Sequence, residues 1–213
     1  MQRWAGLEIL ETLDELVRPE HTVLLLWDFA SGVVGNCFNK DTLIPRTAQL
    51  VAAARAHGVP VLWARQNDMY LMGDTGAAMI RMRMKQWKVA DLANFRPGGV
   101  RGTPEWEFLP ELRPQEGDVE FEKFLPNAFL GTNFEWRLRK LGAKTIILTG
   151  INVATGIPGT AREAIHRGYY AVVARDCVGG RERDYARSLP LMETLLDVFD
   201  SSEIIAAWER RGV

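Results

Sequence analysis

Residues 144–162 read KTIILTGINVATGIPGTAR, and this stretch decides the fold class. Thr145 to Leu148 form an apolar, partly β-branched run of the kind that makes a buried strand. Gly150 punctuates its carboxyl end. Pro158 stands where a helix can begin, because its missing N–H is one that the first helical turn leaves unpaired anyway. Strand, short loop and helix start, in that order, belong to an open α/β sheet. Ligands bind such sheets beyond the carboxyl ends of strands, where helix N-termini present free N–H groups. The loop holds no Cys, Ser or His, which limits the chemistry it can perform.

The flanking segments repeat the alternation. His21 to Phe29 (HTVLLLWDF) is a continuous apolar run ending at Asp28, as expected of a central parallel strand. Asp41 is expected to cap a helix over 42–57, with Leu43, Leu50, Val51 and Ala54 on its apolar face and Gly58 ending it. Val59 to Ala64 (VPVLWA) reads as the next strand, giving a βαβ crossover. Val119 to Phe124 (VEFEKF) is a short alternating strand carrying Lys123 at its end, and Thr132 to Leu141 is an amphipathic helix closed by Gly142. A helix over 158–167 closed by Gly168, a strand over 169–174, a last helix over 184–199 and a short closing strand or turn over 202–208 complete the pattern. At the other end, Leu7, Leu10, Leu13 and Val17 stand at helical spacing, so residues 1–20 are read as an arm or short helix ended by Pro19. The expected architecture is one α/β domain over 1–213, with a parallel sheet of five or six strands and helices on both faces.

Residues 66–118 interrupt this order. Their first part holds five of the seven methionines and the basic run RMRMKQWK; their second part is rich in Gly and Pro. The methionines suit core or interface packing, or a lid over an apolar ligand. The basic run reads as a solvated helix face. With 26 basic and 27 acidic residues, net charge −1, nothing in the composition points to nucleic acid or to an anionic membrane surface. No apolar run is long enough to span a bilayer, and the acidic N-terminus is unlike a signal peptide, so a cytoplasmic location is expected. Cys37 and Cys177, without CxxC spacing, read as two free thiols, although one disulfide is possible.

Three polar features stand at strand ends: Asp28, Lys123 and the loop from Asn152 to Gly156. A carboxylate behind six apolar residues is desolvated, which favours its neutral form unless a cation or donors offset this, and a buried Lys needs a counter-charge. Each alone has a plainer explanation, Asp28 as a turn cap and Lys123 as a surface lysine.

The segments HTVLLLWDF, EKFLPNAFLGTNFEWRLRKLGAKTIILTG and GINVATGIPGTAREAIHRGYYAVVARDCVGG resemble, in order and spacing, the three signature segments of the isochorismatase-like hydrolase superfamily. The likeness runs from His21 to Gly180, and residues 66–118 match least. It implies a three-layer Rossmann-like fold, a homodimer or homotetramer, a small-molecule substrate and no cofactor. By the same resemblance Asp28 is the acid/base carboxylate and Lys123 its partner. Gly156 falls where cysteine hydrolases carry their nucleophile, and Asn152, after a cis Ile151–Asn152 bond, falls where a main-chain N–H joins an oxyanion hole. Trp27, Phe29, Trp63 and Phe129 would suit a planar or aromatic ligand, though core packing explains them equally well.

Gly156 is the departure with most consequence, since glycine has no side chain to attack a carbonyl. The metal-bearing branch of the superfamily uses a His-containing cluster after the second strand. This chain has WARQNDMY there, and His21, His57 and His166 lie elsewhere, so no metal site is expected. Isochorismatases proper also lack the cysteine and cleave a vinyl ether by proton transfer. Their Asp-x-Gln is Asp28–Phe29–Ala30 here, and the Thr before the nucleophile position is Val153. The leading expectation is a hydrolase without a cysteine nucleophile, acting through Asp28 on a vinyl ether or, by an activated water, on a C–N bond. The rival is a non-catalytic member with a degenerate pocket. A dinucleotide-binding protein is disfavoured, because WDFASGVVG stands where GxGxxG would.

Overall fold

The computed structural model describes residues 1–67, 76–96 and 99–210. Its centre is β3 (Thr22–Trp27), buried at every residue, flanked in parallel by β4 (Val61–Gln66) and β6 (Thr145–Ile151). Outside these lie β5 (Val119–Lys123) against β4, and β7 (Tyr170–Gly179) then β8 (Asp197–Phe199) against β6. The order is β5-β4-β3-β6-β7-β8, with every pairing parallel. After β3 the chain builds outward on one side through β4 and β5, then returns to build on the other from β6. The reversal leaves a crevice between the carboxyl ends of β3 and β6, the place where doubly wound sheets bind ligands.

Side-chain alternation along β3 divides the core into two layers. Leu24 and Leu26 pack toward α3 (Lys40–Ala56) and α8 (Ser201–Glu209), with Leu50, Ala54, Ile204 and Trp208. Val23, Leu25 and Trp27 pack toward α5 (Phe134–Lys140), α6 (Gly156–His166) and α7 (Glu182–Glu193), with Phe134, Leu138, Ile157 and Ala161. Helices therefore cover both faces, as the alternation of segments predicts. Among the described residues no helix is long and apolar enough to cross a membrane.

Of the two N-terminal readings, arm or short helix, the single helix is not what forms. Instead of one helix over 7–17, β1 (Gln2–Trp4) and β2 (Leu7–Ile9) form an antiparallel hairpin, followed by a single turn α1 (Leu13–Leu16). Ala5 and Gly6 both have positive φ (50° and 82°), the left-handed pair that a tight two-residue hairpin turn requires. Thr12 and Glu15 close a capping box, so the helix can start only at Leu13. At the other end, residues 184–199 divide into α7 and β8, and the expected closing strand or turn over 202–208 is α8. Asp200 and Glu203 form the capping box that starts it. Helix α3 begins at Lys40 after Asn39, so Asp41 sits in its first turn rather than capping it. Residues 68–75 and 97–98 of the expected lid lie outside the described residues. The rest of that segment includes α4 (Ala77–Trp87), whose buried residue is Arg83 rather than a methionine.

Candidate active site

Three neighbouring strand ends deliver three polar groups. Register pairs Trp27 with Ala64 and Gln66 with Lys123, so Asp28, Gln66 and Lys123 emerge side by side. Asp28 leaves β3 in the left-handed region (φ 55°), which Asp and Asn tolerate better than most residues, and its N–H is held by the Ala64 carbonyl at 2.9 Å. A left-handed non-glycine residue at a cleft marks a conformation that its surroundings enforce. One carboxylate oxygen, Oδ1, accepts the Gln66 main-chain N–H at 2.9 Å; the other, Oδ2, accepts from Lys123 Nζ at 2.7 Å. Lys123 also donates to Gln66 Oε1 at 2.9 Å, while Gln66 Nε2 donates to the Phe124 carbonyl at 3.0 Å. Lys123 is fully buried, its Nζ lying 4.1 Å from the centre of the Trp27 ring. A buried ammonium needs both compensations, carboxylate and π face, to be tolerated there.

The opposite wall is the loop after β6. Asn152 organises it: its carbonyl accepts the N–H of Ile157 at 3.2 Å and its Oδ1 the N–H of Ala154 at 2.7 Å. Val153 ties the loop to β7 through the Gly179 carbonyl at 3.0 Å. Gly156 is the first residue of α6, two positions earlier than Pro158 suggests. Its N–H makes no hydrogen bond among the described residues, as expected at the start of a helix, where the first donors have no partner inside it. The expected cis bond between Ile151 and Asn152 is not present: no described peptide is cis, and the loop reaches the helix through Thr155 (φ −136°, ψ −65°).

Between these walls lies a cavity of about 690 Å³, a size that suits a small molecule. Asp28, Lys123, Ile151, Asn152 and Gly156 all line it. Phe29 and Phe129 do not. Phe29 belongs to the layer of Leu24 and Trp63, and Phe129 packs edge-on against Phe134 with ring centres 5.0 Å apart. Along an apolar run, a residue's own letter does not reveal which layer its side chain enters.

Several lining residues were not anticipated. Gln66 belongs to β4, which runs two residues beyond the expected strand; a polar residue ending an apolar run was the available signal. It stands beside Asp28 although the Asp-x-Gln pattern is absent from the sequence. Arg83, Arg96 and Arg181 also face the cavity, so the basic run on α4 is not simply a solvated face. Arg181 is held by Asp184 at 2.6 Å and by the Gln86 carbonyl at 2.8 Å, and Arg96 by the carbonyls of Ala93 and Phe95. Met82 shares the same wall. Cys37 lines it too, but its thiol donates to Asn39 Oδ1 at 3.0 Å and accepts the Gly180 N–H at 3.1 Å. Burial pushes this thiol's pKa up despite those bonds, which leaves it a poor nucleophile. Both cysteines are free, and Cys177, also raised by burial, is wholly enclosed. Among the described residues no group of three or more His, Cys, Asp or Glu could hold a metal ion.

Residues 22–198 match the model of the isochorismatase domain. The uncharacterised isochorismatase family protein YecD of Escherichia coli O157:H7 is 31% identical over 160 residues, which cover 73% of this chain and 78% of that protein. The ureidoacrylate amidohydrolase RutB of Methylobacterium radiotolerans is 29% identical over 164 residues, 71% of this chain but only 61% of its own length. Among solved structures, a cysteine hydrolase from Pseudomonas syringae pv. phaseolicola superposes with a TM-score of 0.77 at 22% identity, over 92% of this chain and 95% of the other. At that identity the superposition speaks for the fold. With the domain match spanning most of its length, the chain belongs to the isochorismatase family of hydrolases.

Proposed function

We propose that this hydrolase cleaves a small anionic substrate by proton transfer through Asp28, without a covalent intermediate at position 156. The observation that carries the proposal is the buried pair Lys123–Asp28, joined by half-buried Gln66 on the cavity wall, with contacts of 2.7 and 2.9 Å. A carboxylate that receives an ammonium N–H on one oxygen and an amide N–H on the other is arranged as a hydrogen-bond acceptor, the state from which a general base starts. Asp28 takes a proton from a water molecule, and the water oxygen adds to the carbonyl carbon of a C–N bond. The free Gly156 N–H, at the start of α6 on the cavity wall, donates to the developing oxyanion in this scheme. Asp28 then returns the proton to the departing nitrogen as the C–N bond breaks. Lys123 stays protonated throughout, holding Asp28 in place and offsetting charge. The related amidohydrolase carries C–N cleavage in its name, which agrees with this order of events. The glycine at 156 favours a second reading, hydrolysis of a vinyl ether, in which Asp28 starts protonated, delivers that proton to the enol carbon, and recovers one from the water that adds to the resulting cation.

The charge of the wall supports an anionic substrate. Among the described lining residues, Arg83, Arg96 and Arg181 bring guanidinium groups to the cavity, Arg181 already paired with Asp184. A planar or cyclic body would lie against Trp87, the exposed aromatic of the lining. The test is a screen of carboxylate-bearing cyclic imides, linear amides and vinyl ethers against the wild type and Asp28→Asn. Asn tolerates the left-handed backbone at this position, so the fold should survive. Turnover should disappear in Asp28→Asn, which should still unfold cooperatively but at a lowered melting temperature because Lys123 loses its counter-charge; undiminished turnover overturns the assignment.

A further inference from the structure

The position at which the family likeness places a nucleophile is occupied here by another side chain. A Cβ built on Gly156 would stand 2.6 Å from both Nε1 and Cε2 of Trp27 and 2.8 Å from Cζ2. No real Cβ approaches a ring so closely. Glycine at 156 and tryptophan at 27 are therefore one steric unit: the indole occupies the space that a side chain on the α6 start would use. The ring is also fixed. It is 1% exposed, packs in the layer of Ile157 and Ala161, and carries the Lys123 ammonium 4.1 Å from its centre.

The polar edge of that ring is unexplained by packing. A buried indole N–H normally finds an acceptor, as Trp63 does on Asp118 at 2.9 Å, Trp106 on the Gln66 carbonyl at 2.8 Å and Trp208 on the Val17 carbonyl at 2.7 Å. Trp27 Nε1 has no acceptor among the described residues, yet it is not one of the fully enclosed unpaired atoms. Trp27 lines the cavity together with Asp28 and Gly156, and Nε1 is on the ring edge nearest the Gly156 Cβ position. A donor that is buried, held rigid and left unpaired beside a proton-transfer group is placed to meet an oxygen of whatever binds there.

We propose that Trp27 is a catalytic residue of this site: its indole fills the nucleophile position and donates its N–H to the oxygen that gains negative charge during hydrolysis. This rests on the proton-transfer reading of Asp28 and adds to it the group that replaces a thiol. The indole edge leaves no space for a side chain on residue 156, and a substrate oxygen meets its N–H in the plane of the ring.

Two experiments test the two halves separately. In the first, Trp27 is replaced by 3-benzothienylalanine, which keeps the ring shape and removes the N–H, alongside Trp27→Phe. On the substrate identified in the screen, kcat should fall roughly 10- to 100-fold, with KM moving less than about threefold. An unchanged kcat in the benzothienyl variant, while Asp28→Asn is inactive, overturns the donor role and leaves the Asp28 reading standing. Activity retained in Asp28→Asn instead removes the reading beneath it. The second experiment needs no substrate. Gly156→Ala alone should lower the melting temperature by roughly 3–10 °C through overpacking against the ring, and the same substitution in a Trp27→Leu background should lower it far less. Equal losses in both backgrounds overturn the steric unit.

Discussion

Replacing Lys123 by Met tests whether the pair at the centre of the site is a buried, charged one. Methionine keeps an unbranched stem of similar length, so the substitution removes the ammonium group with little change in volume. What is lost includes a 2.7 Å bond to Asp28 Oδ2, a 2.9 Å bond to Gln66 Oε1, and the charge over the Trp27 ring. What remains is a carboxylate 9% exposed, keeping the Gln66 N–H but no longer its cation. Removing one partner of a buried pair costs about 3–5 kcal/mol, because the other charge stays desolvated. For a chain of this length that corresponds to a fall in melting temperature of roughly 6–20 °C. Replacing both partners by neutral groups removes the stranded charge, so Asp28→Asn/Lys123→Met should recover about half of the loss or more. The assay is urea unfolding of the wild type, both single variants and the double at pH 7, as a double-mutant cycle with slopes compared to verify two-state behaviour. A Lys123→Met cost below about 1 kcal/mol, or single losses that simply add, would refute the claim that the two charges depend on each other.

Two further expectations concern the frame that holds the site. Gly150 has φ 108°, and a Cβ there would lie 2.0 Å from the Trp27 carbonyl oxygen, so Gly150→Ala should destabilise by about 2–6 kcal/mol from backbone strain and overpacking together. A wild-type urea midpoint for that variant would show that β3 and β6 can separate without cost. Asp118 stands just before β5. Burial by itself pushes its carboxyl up, but hydrogen bonds from the Arg55 guanidinium, the Gln115 N–H and the Trp63 indole outweigh this and hold it below the usual carboxylate range. A folded-state pKa lower than the unfolded one makes the unfolded chain bind more protons. The stability it contributes is therefore present above about pH 4, the unfolded value, and is lost as pH falls through the lowered folded value. Asp118→Asn should flatten the acid limb of a plot of urea midpoint against pH; an unaltered limb contradicts the linkage.

The parts of this protein legible in its sequence are those set by local pattern. Unbroken apolar runs such as VLLLW and TIIL can be satisfied only as strands buried on both faces, and that condition by itself calls for a parallel sheet covered by helices. Asp28 was visible because a charge closing an apolar run has to be paired or functional, and Lys123 because it ends a neighbouring strand where it can supply the counter-charge. Short elements were read less well, because the same few apolar residues serve helix and strand alike. LEILETLDELV became a hairpin strand and one helical turn once Ala5, Gly6 and Thr12 took their turn and cap conformations, while SSEIIAAW became a helix through the Asp200–Glu203 capping box.

The tertiary structure alone decided what surrounds the pair. Gln66 reaches Asp28 because two strands far apart in sequence lie in register. Arg83 turns inward because α4 closes over the crevice. Phe29 and Phe129 leave the site because layer membership depends on which face of the sheet each side chain enters. The absence of a cysteine at 156 was plain from the letters. That an indole fills its place could not be read from them, since Trp27 and Gly156 are 129 positions apart in the chain and meet only where the sheet order reverses.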